Sequence, residues 1–148
     1  MSPLPEQSAR KQDSARIRLM IAPGKREAWA ADLARILAAW PVDLLWSRTD
    51  NQAVDLAASR QVQVALVDAT LPLAGGLEAI RRIRRLGIDL PSLLVCDEPT
   101  ERLLHQALAL DVFTVIQMDS QRSVLAPTLC KLVKQVYHVE WPYGYQSN

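Results

Sequence analysis

Features that would place a function at once are scarce in this sequence. Its 148 residues include only two cysteines, Cys96 and Cys130, too few for a disulfide framework and without a zinc-binding spacing. Neither sign of charge dominates. Seventeen Lys and Arg stand against sixteen Asp and Glu, a net charge of +1, so no whole-chain field calls for nucleic acid or an anionic surface. No apolar run approaches the roughly 18–20 residues of a membrane span. The opening stretch, MSPLPEQSARKQDSAR, is polar and lacks the apolar core of a secretion signal. A cytoplasmic protein, away from membranes and nucleic acid, is expected.

What is present is the composition of a folded globular chain. Hydrophobic residues make up 49% and charged residues 22%, the balance of a single domain with a real core. Residues 1–15 are rich in Pro, Ser, Gln and charge, without periodicity, and read as a flexible leader. A domain is expected over 16–137, followed by an aromatic tail over 138–148.

Within the domain, short apolar runs alternate with helix-period segments. Ile17 to Ile21 is a strand candidate closed by Ala22-Pro23-Gly24. A helix follows with Trp29, Leu33, Ile36, Leu37 and Trp40 on one face, ended by Pro41. Val42 to Trp46 is a second strand and Asn51 to Ser59 a short helix. Val62 to Val67 is a β-branched and aliphatic run ending at Asp68, as suits a central parallel strand covered on both faces. A helix carrying Leu77, Ile80, Ile83 and Leu86 comes next, then a strand opened by Pro91 and running through Cys96. The last elements are a helix with Leu103, Leu104, Ala107 and Leu108, a strand from Val112 to Ile116, and a helix with Leu125, Leu129, Leu132, Val133 and Val136. Pro127 demands that this final helix start near Ala126 or be kinked. The expected fold class is α/β: a doubly wound, five-stranded parallel sheet with right-handed crossovers.

In such a sheet, chemistry gathers at the carboxyl ends of the strands, near the switch in strand order. Asp68 closes the most apolar strand, where composition least expects a carboxylate. It reads equally as a turn cap accepting backbone N–H bonds or as a reactive group.

The stretch from Leu66 to Glu78 resembles the receiver-domain signature of response regulators, the CheY-like fold. Pro72 and Gly76 follow Asp68 at four and eight residues, and Leu77 leads the next helix. The resemblance covers about residues 16–137 and implies a flavodoxin-like architecture with Asp68 at the phosphoacceptor position. It also implies an acidic pair after the first strand that holds Mg²⁺ with the acceptor. The matching positions are Ala22 and Pro23, whose side chains cannot ligate a hard cation. Asp68 and the Thr70 carbonyl remain. Without a metal, phosphodonor and carboxylate repel by about 4 kcal/mol per unit-charge pair at about 4 Å and an effective dielectric near 20. The family's switch Ser/Thr corresponds to Cys96, its aromatic switch residue to Val115 and its lysine to Met118. A register one residue shorter gives Thr114 and Gln117 instead. The pattern resembles a pseudo-receiver with degenerate site positions. Lys25, in the first loop, is a candidate charge partner for Asp68 in place of the cation, although a solvated lysine at a helix start is the favoured reading.

Other features have plainer readings. Arg81, Arg82, Arg84 and Arg85 form a basic strip, read as a solvated amphipathic face. Trp29 and Trp40 are assigned to core packing, and Cys96 to inert packing rather than a redox role. The tail from His138 to Tyr145 carries three aromatics in five residues, and either folds back, meets a partner or is disordered.

Three functions compete. The first is a non-enzymatic signalling module of two-component type with no cofactor. It would act through a protein partner or self-association, with the fourth helix, fifth strand and fifth helix as the contact face. The second is a genuine phosphoacceptor using Asp68, which alone would call for Mg²⁺. The third is a small flavin- or nucleotide-binding enzyme, opposed by a first loop with only one glycine, too short to cradle phosphates.

Overall fold

The computed structural model of the chain describes residues 16–25 and 27–141. The expected leader and the tail aromatics Tyr143 and Tyr145 lie outside them. Five strands run β1 (Ile17–Ala22), β2 (Val42–Trp46), β3 (Val64–Asp68), β4 (Ser92–Cys96) and β5 (Thr114–Gln117). The long helices between and after them are α1 (Ala28–Leu37), α2 (Asp50–Ala58), α3 (Gly76–Arg85), α4 (Glu101–Ala109) and α5 (Leu125–Tyr137). All neighbouring strands pair in parallel, in the order β2-β1-β3-β4-β5. The doubly wound α/β sheet expected from the alternation is the fold of this chain.

Side-chain alternation along the strands builds the two layers. Ile17, Leu19 and Ile21 of β1 join Leu66, Leu93 and Val95 in a core beneath α1 and α5. Met20, Ala22, Ala65, Val67 and Leu94 face the other way, toward α2, α3 and α4. Every residue of β3 and β4 is buried, which explains why those runs are almost unbroken in apolar character.

Local chemistry sets the helix starts. The Thr49 hydroxyl accepts from the Gln52 N–H at 3.1 Å, while Gln52 accepts from the Arg48 N–H at 2.7 Å, close to a capping box. Thr100 caps α4 through the Leu103 N–H at 3.0 Å. Pro127 lies in the first turn of α5, where its missing N–H costs no helical bond. A helical turn at Met118–Gln121 and a 3₁₀ turn at Arg122–Val124 lead into that helix.

Several expectations need correction. Ile36 is exposed rather than on the buried face of α1, and Leu104 and Leu108 are exposed on α4, where only Ala107 is buried. The last strand begins two residues later than the apolar run suggested: the Val112 N–H still bonds back to the Ala107 carbonyl of α4, and the Phe113 N–H makes the first bond across to β4, at the Ser92 carbonyl. The arginine strip is engaged within the chain. Arg81 pairs with Glu78 at 2.6 Å, Arg82 donates to Asn51 at 2.8 Å, and Arg84 clamps the Leu110 and Leu90 carbonyls, each at 2.9 Å.

The tail departs furthest from the plain readings. His138 takes a left-handed conformation at the end of α5 and turns the chain back. Trp141 is only 3% exposed. Its ring meets Trp40 edge-on at 5.2 Å, and its N–H donates to the Pro41 carbonyl at 2.9 Å. Folding back is therefore correct as far as Trp141.

Candidate functional site at the carboxyl end of the sheet

The strand order reverses between β1 and β3, whose register sets Ala22 beside Val67. Asp68 emerges at that switch point, as the topology expects. Although it ends a strand, it is only 6% exposed, so its carboxylate needs partners. Oδ1 accepts from the Thr70 N–H and from the Thr70 hydroxyl, both at 2.8 Å. Oδ2 accepts from the indole N–H of Trp29 at 2.9 Å. The Thr70 hydroxyl oxygen in turn accepts from the Lys25 N–H at 3.1 Å, tying the loop after β1 to the loop after β3.

Two glycines permit this closeness. A Cβ on Gly24 would lie 2.6 Å from Asp68 Cγ and closer still to the Thr70 hydroxyl, so the first loop packs its backbone against the carboxylate. A Cβ on Gly76 would collide with the Asp68 carbonyl and lie 2.8 Å from Val67 Cγ1. The spacing of eight from Asp68 to Gly76 is thus a packing requirement: only glycine lets α3 start so near the end of β3.

The candidate ion pair between Lys25 and Asp68 is not among the ion pairs of the described residues. Lys25 is exposed, and what it brings to the site is its main-chain N–H. The position beside Oδ2 is taken by Trp29, a neutral donor that buries well where an ammonium would have to shed water. Assigning Trp29 to core packing was incomplete: its ring is core, but its one polar atom belongs to the site. A buried indole and a buried carboxylate each need a partner, and that complementarity was the available signal.

A cavity of about 140 Å³ adjoins the carboxylate, lined by Lys25, Trp29, Asp97, Met118 and Arg122 among others. Met118, just past the end of β5, is buried at its wall. Val115 pairs with Leu94 and packs toward α4, in the layer away from Trp29. Cys96 is buried at the end of β4, and burial, followed by the charges of Asp97 and Asp68, pushes its thiol pKa up.

A working receiver's Mg²⁺ would need near-octahedral oxygen ligands. Ala22 and Pro23 are both buried and offer no oxygen beyond the main chain. Asp68 already accepts three hydrogen bonds, and the Gly24 backbone covers it. Among the described residues, no group of three or more His, Cys, Asp or Glu is placed to hold a metal ion. The residues present do not fit that ion.

No family model and no curated protein sequence matches the chain. Solved structures do. The signal receiver domain of a putative LuxO repressor protein from Vibrio parahaemolyticus aligns with a TM-score of 0.74 at 14% identity, over 83% of this chain and 94% of that one. The receiver domain of an HD domain-containing protein from Pseudomonas fluorescens Pf-5 aligns with a TM-score of 0.74 at 21% identity, over 84% and 91%. A CheY-like receiver domain protein from Methanospirillum hungatei JF-1 gives 0.72 at 17% identity, over 84% and 99%. No helix among the described residues is long and apolar enough to cross a membrane. With its strand order, its Asp68 switch point and these likenesses taken together, the chain has the fold of the CheY-like receiver domains of response regulators.

Proposed function

We propose that the chain is a pseudo-receiver: a non-enzymatic, cytoplasmic signalling module of two-component type that has lost metal-assisted phosphotransfer and acts through protein contacts. The observation that carries this reading is the internal satisfaction of Asp68. Its oxygens are engaged by Trp29 and Thr70, and the Gly24 backbone packs against its carboxyl group. A phosphodonor would have to displace those donors and meet the carboxylate without a cation, at a cost of about 4 kcal/mol per unit-charge pair. That slows transfer by orders of magnitude.

Contact through α4, β5 and α5 is supported by exposed apolar side chains on the two helices. Leu104 and Leu108 lie one turn apart on α4, Leu108 being 77% exposed, and Val136 is exposed on α5. Such residues suit a partner's apolar surface or a second copy of the chain.

The second reading, a slow phosphoacceptor at Asp68, is favoured by the cavity beside the carboxylate with Lys25 and Arg122 in its wall. One experiment separates the two. The protein is incubated with Mg²⁺ and acetyl phosphate, or with fluoroberyllate, while intact mass and tryptophan fluorescence are followed. The pseudo-receiver reading expects no stoichiometric mass gain and no saturable fluorescence change. A full phosphoryl adduct abolished by Asp68→Asn would establish the second reading instead.

A further inference from the structure

Two neighbouring hollows share a wall. The cavity beside Asp68 and a groove between α1 and the start of α5 are both bounded by Trp29 and Arg122. Each of these side chains is tied by one carboxylate. Trp29 donates to Asp68, and Arg122 pairs with Asp32 of α1 at 3.1 Å. We propose that Trp29 couples the state of the Asp68 carboxylate to the packing of residues 118–126 against α1, making that segment the part of the molecule that responds when Asp68 changes.

The coupling follows from what Trp29 touches and from what can move. The ring is buried in the core cluster that also holds Met118, Leu125 and Ala126. The buried ring carries one polar atom, and leaving that N–H without an acceptor is costly. Neutralising, modifying or ligating Oδ2 weakens or occupies that acceptor, and the indole N–H must then follow it or lose part of its bond. The strands around it are poor candidates for the response, since β3 and β4 are buried throughout and close-packed cores resist deformation. Residues 119–124 are all exposed, between buried anchors at Met118 and Leu125. They form only short turns, so the segment is cheap to shift. Arg122, lining both hollows, registers such a shift at the Asp32 ion pair.

The inference concerns the carboxylate of the proposed function but does not depend on whether it accepts a phosphoryl group. It is tested on the full chain by ¹H–¹⁵N spectra, with the Trp29 indole resonance assigned by its loss in Trp29→Phe. In Asp68→Asn the amide carbonyl can serve either Thr70 or Trp29, and serving Thr70 turns the NH₂ group toward the indole N–H. The expected result is indole hydrogen exchange faster by roughly ten- to hundredfold, with shifted amides across 118–126. In a Trp29→Phe background, Asp68→Asn should add no further shift in that segment. The proposal is overturned if the Asp68→Asn changes stop at residues 22–25 and 68–72, or if they reach 118–126 equally without the indole. Should Asp68→Asn fail to fold, Trp29→Phe alone decides: it must shift both the Thr70 amide and the 118–126 amides, and a shift of only one refutes the coupling. Phosphoryl uptake is read by mass, so failure of either idea is seen separately.

Discussion

The indole N–H of Trp29 donates to Oδ2 of Asp68 over 2.9 Å, joining a ring in the α1 layer of the core to the carboxylate at the switch point of the sheet. A hydrogen bond to a charged group contributes about 1.5–3 kcal/mol, and its loss leaves a buried acceptor unpaired. Trp29→Phe keeps most of the ring and removes only the donor, so urea denaturation should report a loss in that range. Trp29→Ala adds a cavity and should cost about 3–5 kcal/mol. If Trp29→Phe changed stability by less than about 0.5 kcal/mol, the indole would not be holding the carboxylate.

Gly24 makes a sharper steric test, because its neighbours are polar and fixed. Gly24→Ala drives a methyl group toward the Thr70 hydroxyl and the Asp68 carboxyl. The loop must withdraw, at a cost of about 1–3 kcal/mol for overpacking. Gly87→Ala is the matched control. Its backbone sits at φ +75 with nothing within 4 Å of a new Cβ, so only left-handed strain is paid, about 1–2 kcal/mol. Thr70 amide exchange should accelerate in the Gly24 variant and stay unchanged in the Gly87 variant.

The alternation of apolar runs and helix periods sufficed to read the sheet, since β3 and β4 are buried on both faces and their composition says so. Asp68 was legible for the same reason: a carboxylate stood where none was expected. What could not be read was partner choice. Trp29 lies 39 residues from Asp68, and no local pattern distinguishes a tryptophan whose N–H meets a carboxylate from one that meets a carbonyl, as Trp141 does. Charge made Lys25 a candidate partner, whereas the cost of burying an ammonium favours the indole. On α4, helical spacing grouped Leu103, Leu104, Ala107 and Leu108 without saying which of them face inward, and only Ala107 is buried.

The two thiols should be slow nucleophiles. Burial raises the pKa of Cys96, and burial pushes Cys130 up to about 11. At about pH 8 Cys130 is almost entirely thiol and Cys96 is held further toward the thiol than a free cysteine, and the thiolate is the reactive form. Alkylation of the native protein should therefore lag far behind that of the urea-unfolded chain, with mass spectrometry counting the adducts. Linkage gives a second readout. Because the folded pKa of Cys130 lies above its ordinary value of 9.0, folding favours the thiol, and that contribution is complete below the unfolded pKa. It is lost as pH rises through the folded one. The stability of the wild type relative to Cys130→Ala should fall between about pH 9 and 11, and a constant difference across that window would exclude the shift.

Trp141 extends the domain beyond the end of α5, and its removal should be felt throughout the α1 layer. The ring stands edge-on to Trp40 at 5.2 Å, and its N–H reaches the Pro41 carbonyl, which also accepts from the Ile17 N–H at 3.0 Å. One carbonyl thus joins the start of β1, the entry to β2 and the tail. Trp141→Phe retains the aromatic contact and loses one neutral hydrogen bond, a change of about 1 kcal/mol. Trp141→Ala empties the site and should cost about 3–5 kcal/mol. Truncation after Tyr137 should cost at least as much as the alanine variant, since it removes the same ring together with Val139, which packs against the core. Limited proteolysis should then show faster cleavage near Pro41 in both, and an alanine variant as stable as the wild type would mean that the tail rests on the domain without supporting it.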